Sequence, residues 1–464
     1  MKRKIFGLLS IIIASTTVLA SNEVESRDEL ISLGKQFDSF EFHGYFRTGS
    51  DGNLDDSFKK VYDKNKNLIG RWGNEYDSFT AFNFSNTFRM QNGAWAKLFV
   101  ELDNWNSSLD ISSDINLASA KIEMGKIPGF AGAFEESVII AGKQGWDNRA
   151  VDMTDYFYQD IDAVGLGING VKLGKGSLGL SYLTAEFEDK TDRYYRPSLD
   201  NYPPYSEVKN IETSDSIRAI KATYGLGDFT VEGMYAHAPD HDSVKFLCEE
   251  SEDETIYSRE TADEGIYLAL YHNPQNYYGK QGWGQHYIQY GTGLLGGSGL
   301  GRLNTAGNML AHKDSEAFQI GTGGGMNLTE KLSIMTALRF IVADNVDARE
   351  YNVTDSVKSE YLKEQKELGF SIRPSYSINS SLDFWIEAGL AEVNSKMYNE
   401  KEEQKIIWKI SAGPQLKLNF GVAETAVRAY VTYYNEDIEI KENGDKQKKK
   451  QDDIVAGFQM SVWW

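Results

Sequence analysis

The stretch Ile454-Val455-Ala456-Gly457-Phe458-Gln459-Met460-Ser461-Val462-Trp463-Trp464 decides the fold. Its even positions, Ile454, Ala456, Phe458, Met460, Val462 and Trp464, are all apolar. Its odd positions, Val455, Gly457, Gln459, Ser461 and Trp463, are mostly small or polar. A period of two is the signature of a strand with one greasy and one wet face. An alternating strand that finishes on an aromatic residue is expected of a bacterial outer-membrane barrel. The same phase puts Trp463 on the wet face, where a large ring needs a reason to be.

Working back from there, the alternation recurs along the chain. It begins at Phe40, with Phe40, Phe42, Phe46 and Thr48 on one face and Glu41, His43, Tyr45 and Arg47 on the other. A second strand sets Phe82, Phe84, Phe88 and Met90 against Phe79, Asn83, Ser85 and Arg89. A third sets Ala94, Ala96, Leu98, Val100 and Leu102 against Lys97, Glu101 and Asp103. Similar segments lie near 137–143, 178–186, 217–236, 265–272, 284–292, 316–325, 332–342, 368–378, 381–391, 405–417 and 425–434. Polar or glycine-rich stretches separate them, with no internal repeat and no domain linker. A closed antiparallel barrel satisfies every backbone group in lipid without leaving an edge. At roughly 25 residues per strand and loop the length predicts about 16 to 18 strands, wide enough for an aqueous channel. The fold class is therefore all-β, a transmembrane antiparallel barrel.

Composition and targeting agree with this. Met1–Ala20 reads as a signal peptide: Lys2, Arg3 and Lys4 precede an apolar core, and Val18-Leu19-Ala20 offers small residues for cleavage. Residues 21–39 read as a short charged periplasmic segment, and 40–464 as the barrel domain. No other stretch approaches the roughly 20 apolar residues of a spanning helix. The mean hydropathy is negative, which a barrel tolerates because only every second strand residue meets lipid. The 26 Tyr, 23 Phe and 9 Trp are enough to supply aromatic girdles at both interfaces. A formal net charge of −20 argues against a nucleic-acid partner. Cys248, the single cysteine, permits no intrachain disulfide and sits beside the acidic run 249–254, as a loop thiol would.

Motifs for covalent chemistry are missing. The chain has no Gly-x-Ser-x-Gly elbow and no His-Glu-x-x-His. His237 and His241 are four apart, but Pro239 between them disfavours the helix that would aim both at one metal. Gly296–Gly301 reads as a loop tip, because no strand–loop–helix unit surrounds it. Lys446–Lys450 reads as a solvated basic loop within reach of outer-leaflet lipid. Neither a metal nor a cofactor is called for, and the chain is not expected to be an enzyme.

The aromatic residues on wet faces are more telling. Tyr45, Phe79 and Trp463 fall there by alternation, and Trp105 continues the same phase into a loop. Several rings beside Arg and Asp suit a sugar path: a pyranose has an apolar C–H face for the rings and hydroxyls for the charges. Weak repeated contacts of this kind permit both entry and exit.

On these residues the chain resembles the maltoporin family of sugar-specific trimeric outer-membrane porins. Phe42-His43-Gly44-Tyr45-Phe46-Arg47-Thr48-Gly49 is similar to the family's opening strand, and Arg71-Trp72-Gly73-Asn74-Glu75 to its Arg-x-Gly-Asn-Glu segment. Ala141-Gly142-Lys143 and then Val151–Asp160 resemble its third loop. Ile372-Arg373-Pro374, Ala426-Val427-Arg428 and Val462-Trp463-Trp464 follow in order. The resemblance implies an 18-stranded barrel, a third loop folded inward as a constriction, a lumenal slide of aromatics and a track of polar residues alongside. It implies slide roles for Tyr45, Phe79, Trp283 and Trp463. It gives Trp105 the place of the aromatic that the second loop lends to a neighbouring subunit. Arg47, Arg71 and Asp155 fall at track positions, and Phe157 and Arg149 at the constriction. The chain also departs from the pattern. Phe157 lacks a tyrosine hydroxyl, Asn148 replaces an arginine, Ala150 an acidic residue and Ala81 a glutamate. Val422 falls near a slide tryptophan, and Tyr76 stands where a first-loop cysteine belongs. The expected function is facilitated diffusion of maltodextrins or similar oligosaccharides across the outer membrane by a homotrimer. The rival is a general diffusion porin with no specific sugar site.

Overall fold

The computed structural model describes residues 39–54, 65–75, 77–106, 115–188, 214–238, 243–246, 255–303, 308, 311–347, 350–351, 362–398, 400–442 and 444–464. The expectations for 1–20 and 21–38, and those for Tyr76, His241, Cys248 and the run 249–254, lie outside the described residues.

Eighteen antiparallel strands form one closed barrel. They are β1 (Phe40–Asn53), β2 (Ser78–Arg89), β3 (Trp95–Asn106), β4 (Asn116–Gly125), β5 (Val138–Gly145), β6 (Tyr156–Leu173), β7 (Gly176–Glu188), β8 (Ser214–Leu226) and β9 (Phe229–His237). Then come β10 (Glu264–His272), β11 (Lys280–Gly293), β12 (Glu316–Asn327), β13 (Leu332–Asp344), β14 (Leu362–Ser377), β15 (Leu382–Met397), β16 (Glu402–Asn419), β17 (Glu424–Glu442) and β18 (Asp445–Trp463). Each strand pairs with its successor, and β18 returns to β1 with Tyr45 opposite Trp463 and Arg47 opposite Ser461. That closure removes the free edge that lipid would penalise.

The two faces of β18 behave as its sequence demands. Val455, Gln459 and Ser461 are buried inside, while Ile454 and Phe458 stay uncovered on the outer wall. Leu166, Ile220, Val231, Leu268 and Leu390 extend the same uncovered apolar belt around the barrel. At the lower rim Phe42, Phe82, Phe84 and Trp464 cluster, with Phe42–Phe84 ring centroids 5.1 Å apart and Phe82–Trp464 6.1 Å apart. Gly44 beneath them has no alternative, since a Cβ there would occupy the Trp464 ring. From Trp464 up to Ile454, ten residues at ~3.3 Å each and ~40° tilt give a height of ~25 Å, that of an outer-membrane apolar band.

The strand expectations needed four corrections. The segment 217–236 is two strands, β8 and β9, folded at Gly227-Asp228. Strand β4 and most of β6 had no expectation at all. Lys446–Lys450 is not a loop: it lies in β18, where Lys446 and Lys448 bond Glu439 of β17 at 2.6 and 3.4 Å. Nor is Gly296–Gly301 a loop tip. It folds into the lumen, where Leu295 and Gly297 are buried.

The lumen is partly filled from above. The first loop, between β1 and β2, carries a one-turn helix α1 (Lys66–Ile69) that packs on the inner face of β14 and β15. A Cβ at Gly389 would collide with the Ile69 carbonyl, so glycine is what lets the loop come this close. The third loop is residues 146–155, since Ala141–Lys143 belong to β5 and Tyr156–Asp160 to β6 rather than to the loop; it also turns inward and ends in a short 3-10 turn, Asp152–Thr154. The two loops meet where the Arg71 N–H donates to the Met153 carbonyl at 3.1 Å.

Candidate functional site

Between these loops and the wall made by β1, β2, β3, β17 and β18 lies a cavity of about 710 Å³. Its lining brings together Tyr45, Phe79, Trp105, Trp463, Arg47, Arg71, Asp155 and Phe157, all singled out from the sequence. Strand pairing explains the rings: Tyr45 is opposite Trp463, and Phe79 is opposite Trp105, all with the inward phase. Tyr45 is 5.9 Å from Phe79 and 6.2 Å from Trp463 between ring centroids. Trp105 lies within β3 and not in a loop as expected; it is 58% exposed and stands at the upper edge, its indole N–H 3.4 Å from Asp77. Phe157 remains 42% exposed within the lumen.

Beside the rings is a dense ionic cluster. Arg47 reaches Asp77 at 2.8 Å, Glu75 at 3.4 Å and Asp155 at 3.5 Å. Arg71 reaches Glu75 and Asp152, each at 3.3 Å, and Asp155 at 3.6 Å. Lys66 reaches Asp155 at 3.2 Å. Burial alone would raise the Asp155 pKa, but Arg71, Arg47 and Lys66 outweigh it and hold the carboxyl below its usual range. Deeper in, Glu387 accepts from Arg373 at 2.5 Å, from Lys409 at 2.8 Å and from the Trp72 N–H at 3.0 Å. Charges this buried are costly unless they are paired.

Two singled-out residues are not part of this cavity. Trp283 shares the inward phase of Tyr287 and Gln289 but lies near the short-turn end of β11. Arg149, within the third loop, points away from the cavity to the opposite wall, 4.2 Å above the Tyr271 ring and bonded to Gln159 at 3.0 Å. Conversely, Lys66, Trp72, Asp152 and Arg428 line the cavity without having been singled out. Arg428 was within reach of the same reasoning, since it shares one strand face with Ala426, Tyr430 and Thr432. Trp72 sits in a loop, where alternation gives no phase.

The closed barrel, the apolar belt and the loop-narrowed lumen define an outer-membrane porin. The model of the LamB porin family matches residues 40–464. The chain therefore belongs to that family, whose members are outer-membrane sugar-diffusion channels and not enzymes. It is similar to maltoporins of two Vibrio cholerae serotype O1 strains, El Tor Inaba N16961 and Classical Ogawa 395. Each is 22% identical over 94% of this chain, covering 97% and 96% of the relative respectively. Solved structures with a related outline include DcaP of Acinetobacter baumannii, at 10% identity and a TM-score of 0.43. That match covers 92% of this chain and 97% of DcaP. OccK3 of Pseudomonas aeruginosa has 10% identity and a TM-score of 0.40, over 93% of this chain and 97% of its own.

Proposed function

We propose that the channel carries maltodextrins or similar oligosaccharides down their gradient, as a homotrimer. Tyr45, Phe79 and Trp463 act as the aromatic slide, and Arg47, Arg71 and Asp155 exchange hydrogen bonds with sugar hydroxyls. Phe157 narrows the passage, and Arg149, within the third loop, ties that loop to Gln159 and Tyr271 of the far wall. Trp283 continues the slide toward the periplasm. Trp105, exposed at the upper edge, serves the neighbouring subunit's entrance. Residues 1–20 direct export and are removed.

The observation that carries this reading is the joint placement of three neighbouring rings and three charged side chains around one cavity. Rings desolvate the apolar sugar face while charged groups replace the water on its hydroxyls. The test is ion current through single channels in a planar bilayer, titrated with maltotriose, maltohexaose and sucrose. Saturable block by one of them supports the proposal. Current indifferent to all three points to a general diffusion porin.

A further inference from the structure

Arg428 is the cation whose surroundings the sugar reading leaves unexplained. It is 6% exposed, lies on the inner face of β17 and lines the cavity. Its guanidinium stacks on the Trp72 ring at 4.2 Å, with Arg373 also over that ring at 3.6 Å. Its Nε donates to Gln415 at 2.6 Å, and its Nη1 to Gln459 at 3.2 Å and Ser461 at 3.4 Å. All three acceptors are neutral, and Nη2 has no partner among the described residues. The other arginines of the cluster each hold at least one carboxylate. Glu75 is near enough to attract Arg428 but makes no ion-pair contact with it; Gln459, whose amide donates to Glu75, stands between them. Among the charged groups lining the cavity, Arg47, Lys66, Arg71 and Arg428 face only Asp152 and Asp155, because Glu75 and Asp77 sit behind the cations.

A buried, oriented arginine with no anion of its own is costly until one arrives. Its planar fork matches a carboxylate with two parallel donors. The rings of Tyr45 and Trp463 line the same cavity and suit a pyranose. We infer that the cavity binds oligosaccharides that carry a carboxylate, oligouronides, in preference to their uncharged counterparts, with Arg428 as the carboxylate receptor. This deepens the sugar-channel reading and rests on it. The chain's large negative charge does not oppose it, since a local potential is set by the groups that line the passage.

The test compares trigalacturonic acid with its fully methyl-esterified form, which keeps the skeleton and removes the charge. Block of single-channel current is titrated with each at about 0.1 M KCl, and maltotriose is run on the same channels. The acid is expected to half-saturate at a concentration about tenfold lower than the ester, the scale of one charge-assisted contact. In Arg428→Gln that ratio is expected to fall to within about twofold. In Arg428→Lys, which keeps charge but loses the fork, it is expected to be intermediate. A wild-type ratio near one overturns the inference while leaving the sugar-channel reading intact, provided maltotriose still blocks. A high ratio that survives in Arg428→Gln overturns the assignment to Arg428. If no sugar of either charge blocks, both readings fail. Should Arg428→Gln not yield a heat-modifiable barrel, the wild-type pair of ligands and Arg428→Lys still decide the matter.

Discussion

The lumen has two unlike halves. Along β6 to β12 it is plugged. Trp146, Met153, Ile161, Leu294, Leu295, Leu300 and Leu303 form a continuous apolar core between the inward loops and the wall. Polar groups in this half are spent on one another: Tyr158 stacks on Tyr287 at 4.0 Å, and Gln289 donates to Tyr267 at 2.7 Å and to the Tyr158 carbonyl at 2.8 Å. Lys221 pins the third loop through Asp147 at 2.5 Å and the Trp146 carbonyl at 3.1 Å. Along β1, β2 and the lower parts of β17 and β18 the rings and cations face the cavity. Aromatic residues are abundant in both halves. What separates them is whether a ring's faces are already covered: Tyr287 is 2% exposed, whereas Trp463 is 40% exposed. An inward-pointing aromatic is therefore a candidate contact only where the loops leave it bare.

The sharpest way to break this division is at Glu387, which ties the first loop to the wall. Glu387→Ala strands Arg373 and Lys409 as buried unpaired cations, an expected cost of roughly 3–5 kcal/mol. The heat-induced mobility shift should move to lower temperature, and single-channel conductance should rise as the loop leaves the lumen. Unchanged conductance would mean that the loop stays in place without its anchor. Next in size is the plug. Leu295→Ala removes a fully buried side chain and is expected to cost about 2–5 kcal/mol. Half-saturation by sugar should change little, because the two halves are chemically separate. A large loss of sugar affinity would show that they are not.

Trp463→Ala sharpens the contrast from the other side. Losing one exposed ring from a stacking path is expected to cost about 1 kcal/mol of binding, a rise of several-fold in half-saturation. Barrel stability should hardly move, and ion current should be equal or larger. If sugar block is untouched, Trp463 is a girdle residue and the open half is not a slide.

How far each half could be read in advance follows from the same physics. The wall was legible because lipid on one side and water on the other impose a period of two, as in Ile454–Trp464 and Phe40–Thr48. Where both faces meet water the period vanishes, which is why Lys446–Lys450 resembled a loop although Glu439 holds two of its lysines in a strand. Tight turns such as Gly227-Asp228 hid a boundary inside one apolar run. The open half was also legible, since Tyr45, Phe79, Trp463 and Arg47 all lie on alternating strands. The plug was not. Gly296–Gly301 enters the lumen because Leu294, Leu295 and Leu300 find the third loop there, a meeting of distant segments that no local pattern encodes. Trp72 escaped for the same reason, its place being set by Glu387 and Lys409 on the far wall.

The smallest effect is expected from acid, and it sharpens the comparison at the seam between the loops. Asp155 closes that seam by pairing its carboxylate with Lys66, Arg47 and Arg71. These cations depress its pKa in the folded protein despite burial. A depressed carboxyl pKa contributes stability above the unfolded value of about 3.9, and that contribution is lost as pH falls through the folded value. The heat-induced transition should therefore be insensitive to this group between pH 7 and about 5, and should fall only in the acid region near and below pH 4. Asp155→Asn removes the titrating group. It should lower the transition slightly at neutral pH and flatten the acid-side decline, with the two profiles converging once the native carboxyl is protonated. A decline equally steep in both proteins would assign the acid sensitivity to other carboxylates and leave the seam held by the Arg71–Asp152 pair and the Arg71 N–H bond to the Met153 carbonyl.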